Sequence, residues 1–155
     1  MSPPRRVRPS FPEEWHVPDN PKLWIAWEHA SKKLVDEEVY CVSTSTKSGR
    51  RHAAPIWGMR KGDRLYFGTD PDSVKGLSLS ANPRMIVHVQ DGMGTAIEGK
   101  AFRLKGATAL TALSKDYVAK YDYSLDRPDA RRQVVFEVGP RVAHTWCAPA
   151  CAGAR

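Results

Sequence analysis

The stretch Leu65-Tyr66-Phe67-Gly68-Thr69-Asp70-Pro71-Asp72-Ser73-Val74-Lys75, followed by Ala81-Asn82-Pro83-Arg84, decides the reading of this chain. Alternating apolar residues end in a polar loop, so the first part reads as a strand. Ser73 opens a short helix over residues 73–80, Asn82-Pro83 ends it, and a second strand follows. The loop brings two hydroxyls, Thr69 and Ser73, close to the cation of Lys75. At a helix start, the free N–H groups, the cap side chain and the helix dipole all favour an anion. These residues therefore read as a phosphate seat without a Gly-rich loop, and a phosphate seat points to a cofactor or nucleotide.

Working outward, residues 39–45 are rich in β-branched residues and read as a strand. A turn over 47–50 leads to a second strand over 51–59, and a turn at 61–63 to a third over 64–68. Beyond the short helix lie strands over 84–90 and 95–105, joined by a turn at 91–94. A helix over 111–122 carries Leu113, Tyr117 and Tyr121 on one face, and strands over 133–138 and 141–146 close the chain. Upstream, Asn20-Pro21 reads as a helix start, and Leu23, Trp24, Trp27, Ala30, Leu34 and Val35 repeat at helical spacing over 21–36. About six strands, mostly joined by hairpins, imply a mainly β fold with flanking helices. In so short a chain they favour a small six-stranded antiparallel barrel, closed or half-closed, over an open sheet with bare edges. No βαβαβ rhythm and no G-x-G-x-x-G is present, which argues against a doubly wound dinucleotide fold.

The chain has 155 residues, enough for one domain with one core. That domain is expected over 21–146, with a Pro-rich basic arm over 1–20 and a small-residue tail over 147–155. The arm's residues 1 to about 12 lack apolar periodicity and are expected to be dispensable for folding. The formal net charge of +7 raises the question of nucleic acid. The basic residues are scattered, however, and the one cluster, Arg5, Arg6 and Arg8, lies in the arm. Attraction for an anionic small molecule is the favoured reading, with no nucleic-acid partner. No apolar run is long enough to span a bilayer and no secretory pattern is visible, so the expectation is a cytoplasmic protein without membrane contact. Cys41 reads as a core residue. Cys147 and Cys151 lack a second ligand pair, and His16, His29, His88 and His144 do not cluster with acids or cysteines, so no metal site is expected.

Three motifs resemble the pyridoxamine 5′-phosphate oxidase-like family of flavin-binding split barrels, and within it the branch of oxidoreductases dependent on flavin or on the deazaflavin coenzyme F-420. The first motif runs from Ser43-Thr44 through Gly49-Arg50 into His52-Ala53-Ala54-Pro55-Ile56-Trp57-Gly58. The second is Tyr66-Phe67-Gly68-Thr69 with Ser73, Lys75 and Asn82-Pro83-Arg84. The third is Ala119-Lys120-Tyr121 followed by Val138-Gly139-Pro140-Arg141-Val142-Ala143. The resemblance implies a six-stranded split barrel and a homodimer with cofactor sites at the subunit interface. It also implies a strand Pro55-Ile56-Trp57 lying along the cofactor ring, and Thr69, Ser73 and Lys75 holding its phosphate. His52 fits a donor to the ring or tail as well as it fits a surface histidine. Trp57 suits either a flat wall for a ring or the core. Arg51 and Arg50 could meet the carboxylates of a polyglutamyl tail, and Trp146 could cover a site or plug the barrel.

The function so implied is hydride transfer between reduced coenzyme F-420 and a small organic substrate. Two alternatives stay open: an FMN-dependent oxidoreductase of the same fold, and a non-catalytic carrier of flavin or haem. The Arg and His motifs that pyridoxamine phosphate oxidases carry near the C-terminus have no counterpart in Thr145-Trp146-Cys147. No side chain stands out as catalytic, which suits a cofactor that carries the chemistry itself.

Overall fold

The structure, a computed structural model, describes residues 4–7, 25–90, 93–126 and 133–147. Eight strands form a single sheet: β1 (Arg5–Arg6), β2 (Val39–Ser45), β3 (Arg51–Trp57), β4 (Met59–Lys61), β5 (Arg64–Thr69), β6 (Arg84–Gln90), β7 (Met93–Arg103) and β8 (Val134–Cys147). Among the described residues three helices accompany them: α1 (Trp27–Asp36), α2 (Val74–Ala81) and α3 (Ala107–Tyr121). The sheet order is β3-β2-β6-β7-β8-β5-β4, with β1 added to β8. All pairings are antiparallel except that of β1.

This order forces the sheet to curl. β3 and β4 lie at its opposite ends, yet Gly58 alone separates them in the chain. The two edges must therefore come round to meet, which gives the split, half-closed barrel and removes the long bare edges of an open sheet. At Gly58 a Cβ would stand 3.1 Å from the Tyr66 carbonyl oxygen and 3.2 Å from the Tyr40 ring, so the junction has little room for any other residue.

The inner face follows the period-two pattern of its strands. Tyr40, Val42, Leu65, Phe67, Met85, Val87, Val89, Ile97, Phe136 and Val138 fill the barrel, with Leu34 of α1 and Leu79 of α2 completing it. Phe67 and Phe136 stack at 5.6 Å between β5 and β8. A second cluster forms outside the barrel, where Leu113 and Tyr117 of α3 pack on Met59 and Val135 with Leu125.

Several boundaries differ from the sequence reading. The expected strand 51–59 breaks at Gly58 into β3 and β4, because the chain crosses there from one sheet edge to the other. The two expected final strands are one, β8. Its register with β7 steps from Glu98↔Val142 to Gly99↔Pro140, so Arg141 is a bulged residue and Pro140 sits beside the irregularity instead of ending the strand. β1, of two residues, is too short for periodicity to reveal, and β4, of three, reads only as the end of the expected strand 51–59. α3 begins at Ala107, four residues early, since the exposed Ala107, Thr108 and Ala109 give no amphipathic signal. α1 begins at Trp27, with Ala26 extended. In the arm, Arg5 and Arg6 pair with Val142 and Ala143, and the Val7 N–H donates to the Ala143 carbonyl at 3.0 Å. The Asn20-Pro21 helix start, residues 8–24 in general, the Asp91-Gly92 turn, Cys151 and the side chains of Trp146 and Cys147 lie outside the described residues. Among the described helices, none is long and apolar enough to cross a membrane.

Candidate cofactor site

The Thr69–Lys75 loop folds as its residues dictate. Ser73 is the N-cap of α2; its hydroxyl accepts from the Gly76 N–H at 3.1 Å and donates to the Asp70 carbonyl at 2.7 Å. It lies 3.1 Å from the Thr69 hydroxyl. Gly76 is required by this turn, because a Cβ there would fall 2.5 Å from the Asp70 carbonyl oxygen. The Ser73 hydroxyl is thus spent on the cap, while Thr69 and Lys75 line a cavity of about 380 Å³.

That cavity stands where β3 approaches β5 beneath α3. Pro55, Ile56 and Trp57 form one wall, and Gly68, Thr69 and Lys75 another. Tyr117, Tyr123, Leu125 and Gln133 complete it. The structure therefore brings five of the sequence-predicted residues together: Pro55, Ile56, Trp57, Thr69 and Lys75. Arg51 and His52 are not among them. They line a separate groove at the other end of β3 from Trp57.

The aromatic wall is built from two elements. Trp57 is 50% exposed, so it is no core residue. Its indole stacks on Tyr121 at 5.3 Å with the planes 9° apart, and Tyr123 meets it edge-on at 6.2 Å. α3 also holds the backbone at this point. Tyr117 donates to the Trp57 carbonyl at 2.8 Å, and the Tyr121 hydroxyl binds both the N–H and the carbonyl of Gly58. Lys120 donates to the Gly58 carbonyl at 3.3 Å and to the carbonyls of Val35 and Glu37 at the end of α1. The Lys120-Tyr121 motif is thus a clamp that ties α1, α3 and the β3–β4 junction together. Burial pushes the Lys120 ammonium below the usual lysine range, against the opposing pull of the Glu37, Glu38 and Asp36 carboxylates. Burial raises the Tyr40 and Tyr117 hydroxyls well above the ordinary phenol range and pushes Tyr121 up to about 12. These phenols remain neutral donors at physiological pH.

Sequence reasoning missed Tyr123, Leu125 and Gln133. Tyr123 escapes the helical spacing of Tyr117 and Tyr121 because α3 ends at Asp122, whose left-handed backbone (φ 52°) re-aims the chain. Gln133 donates to the Tyr123 hydroxyl at 2.9 Å, and its Oε1 is buried without a partner. Gly68 leaves room beside it, since a Cβ there would touch that oxygen and Leu125 at 3.0 Å.

An anchoring cation and hydroxyl, a flat aromatic wall, a buried unpaired acceptor and a cradle kept open by glycine together suit a planar cofactor with a phosphate arm. Fold and site define a flavin-type split barrel. Residues 26–147 match the family described as pyridoxamine 5′-phosphate oxidase, and the chain belongs to that flavin-binding family. It is similar to a conserved hypothetical protein of Mycobacterium tuberculosis, at 15% identity and a TM-score of 0.70, over 84% of this chain and 90% of that one. It is also similar to an F-420 reductase (19%, TM-score 0.59, 72% and 94% covered) and to a FAD-binding protein of Mesorhizobium loti (19%, TM-score 0.60, 77% and 92%). At these identities the likeness is one of fold. No curated protein matches the chain by sequence.

Proposed function

We propose that the protein is an oxidoreductase that uses reduced coenzyme F-420 to transfer hydride to a small organic substrate. The observation that carries the reading is the cavity in which Pro55, Ile56 and Trp57 face Thr69 and Lys75. When bound, the deazaflavin supplies the hydride. The chain's part is to bind and orient. Lys75 and Thr69 hold the phosphate, the free N–H groups at the start of α2 support it, and Trp57, stiffened by Tyr121, forms the wall for the ring. Tyr117, Lys120 and Tyr121 fix the Trp57–Gly58 backbone so that this wall does not move. Leu125 and the tyrosines limit water access. The net charge of +7 suits a cofactor that carries carboxylates besides its phosphate.

The reading includes a homodimer with the cofactor at the subunit interface. Its support is the apolar surface left on the outer face of the sheet, where Val39 and Trp57 are cross-strand partners, 47% and 50% exposed, and Phe102 is 58% exposed.

Parallel titrations with FMN, FAD and coenzyme F-420 test the assignment, followed by anaerobic turnover of an enone or quinone with the reduced cofactor. Tighter binding of F-420 at low salt, with turnover, supports it. Tighter binding of FMN replaces it with the FMN-dependent alternative, and binding of a ring without turnover of any acceptor replaces it with a carrier.

A further inference from the structure

A groove of about 850 Å³ crosses the outer face of the sheet, away from the Lys75 cavity. Five cations line it: Arg5, Arg51, Arg84, Lys100 and Arg141. They come from β1, β3, β6, β7 and β8, so the sequence scatters what the sheet gathers. None of the five makes an ion pair among the described residues. The one carboxylate in the lining, Glu98, is engaged by His144 at 2.9 Å.

Two features show that this gathering opposes the stability of the sheet. Arg84 and Lys100 are directly opposed in the β6–β7 register, and like charges facing one another across strands are unfavourable. Arg141 is the bulged residue of β8, and a bulge re-aims a side chain at the expense of ladder regularity. Gly99 permits the close approach there, since a Cβ would stand 2.8 Å from the Gly139 carbonyl oxygen. Ser43 and Ser45 add hydroxyls on this face. Ile86, 39% exposed, and Val142 supply an apolar floor.

We propose that this groove is a second binding site, for a ligand with two or more phosphate or carboxylate groups. The anion would relieve the Arg84–Lys100 opposition, and each of four guanidinium forks can pair with two oxygens of such a group. The site stands independently of the ring assigned to the Lys75 cavity. Its anion could belong to a separate molecule or to the tail of a longer one seated at Trp57, and both are recognised by the same chemistry.

Calorimetric titration with inorganic triphosphate and with tetraglutamate, at low and high salt, tests the proposal. The wild-type chain is expected to bind at least one of them, more weakly as salt rises. The double variant Arg84→Gln/Lys100→Gln should raise the dissociation constant about tenfold or more, whereas Lys75→Gln should leave that of tetraglutamate unchanged. Should the double variant lose its fold, Arg51→Gln, exposed on the edge strand, serves in its place. No binding by the wild-type chain, or equal affinity in the groove variant, overturns the proposal. Loss of binding in Lys75→Gln alone places the anion in the other cavity and overturns it as well. Unchanged triphosphate affinity after saturation with FMN identifies a separate ligand; tetraglutamate preferred over triphosphate identifies a tail. Either result presupposes the groove and so supports it.

Discussion

Lys75 shows how neighbours place a single side chain in a cavity. On an ordinary helix it would be one more solvated cation. Here Ser73 caps the helix, Gly76 lets the loop close over it, and Lys75 is left facing Trp57 across the cavity. Lys75→Ala should therefore weaken cofactor binding far more than folding. Loss of one charge-assisted phosphate contact costs about 1.5–3 kcal/mol, roughly a ten- to hundredfold rise in dissociation constant. A titration of the variant, alongside its thermal midpoint, checks this. The tyrosines give a pH signature. The phenols of Tyr40, Tyr66, Tyr117 and Tyr121 are all raised above 10 in the folded chain, chiefly by burial. The native state then holds protons that the unfolded chain releases, so the stability they contribute is full below pH 10 and falls as pH rises toward about 12 and beyond. The lowered pKa of Lys120 acts in the opposite sense up to its ordinary value, but it is one group against four. Phenolate absorbance followed together with circular dichroism should show these tyrosines ionising late and in step with unfolding. Free titration of all of them near pH 10, with the fold intact, would contradict the buried clamp.

At the scale of elements, α3 acts as a brace. It stands on the outer face of β4, β5 and β8 and binds the backbone of the one junction that carries the chain between the sheet's two edges. Tyr117→Phe removes the donor to the Trp57 carbonyl and should cost about 1 kcal/mol, a fall of roughly 2–4 °C in thermal midpoint, together with weaker ring binding. An unchanged midpoint and affinity would show that the brace is redundant. β1 is the element that composition misjudges. Pro-rich and basic, it carries no packing signal, yet it covers part of the β8 edge and its Arg6 guanidinium reaches the Ile25 carbonyl at 3.3 Å. Deleting residues 1–7 should lower the thermal midpoint by roughly 2–5 °C, the scale of one or two net hydrogen bonds. No change in a melting experiment would restore the reading of a dispensable arm.

For the whole molecule, the outer face of the sheet is where charge and apolar surface accumulate. The exposed Val39–Trp57 pair and Phe102 make a dimer the expected state, and light scattering at micromolar concentration should return twice the monomer mass. A monomer mass would leave each cavity to be completed by one chain alone. The net charge acts at this scale too. If the cofactor carries carboxylates, its advantage over FMN should shrink as salt rises, because exposed contacts are screened while the shared phosphate contact at Lys75 is common to both. Parallel salt titrations of the two cofactors measure the difference, and affinities that fall in parallel would remove the electrostatic basis for preferring the deazaflavin.

The sequence by itself determined what local chemistry can encode. The alternation on β2, β5 and β6, the Ser73 cap, the Asn82-Pro83 stop and the Thr69–Ser73 loop are all legible because each depends on neighbours within a few residues. The motif order marked the family for the same reason. The tertiary structure alone decided that Gly139-Pro140 passes through one continuous β8, that Gly58 joins the two sheet edges, and that Tyr121 grips it from 63 positions away. It also divided β3 between two sites, with Pro55 to Trp57 beside Lys75 and Arg51 and His52 in the groove. Strand register and the curl of the sheet arise from pairings between distant segments. A pattern of period two fixes which face a residue occupies, but not which residue of another strand it will meet. Arg84 and Lys100 read as two unremarkable surface cations until the β6–β7 ladder sets them opposite one another.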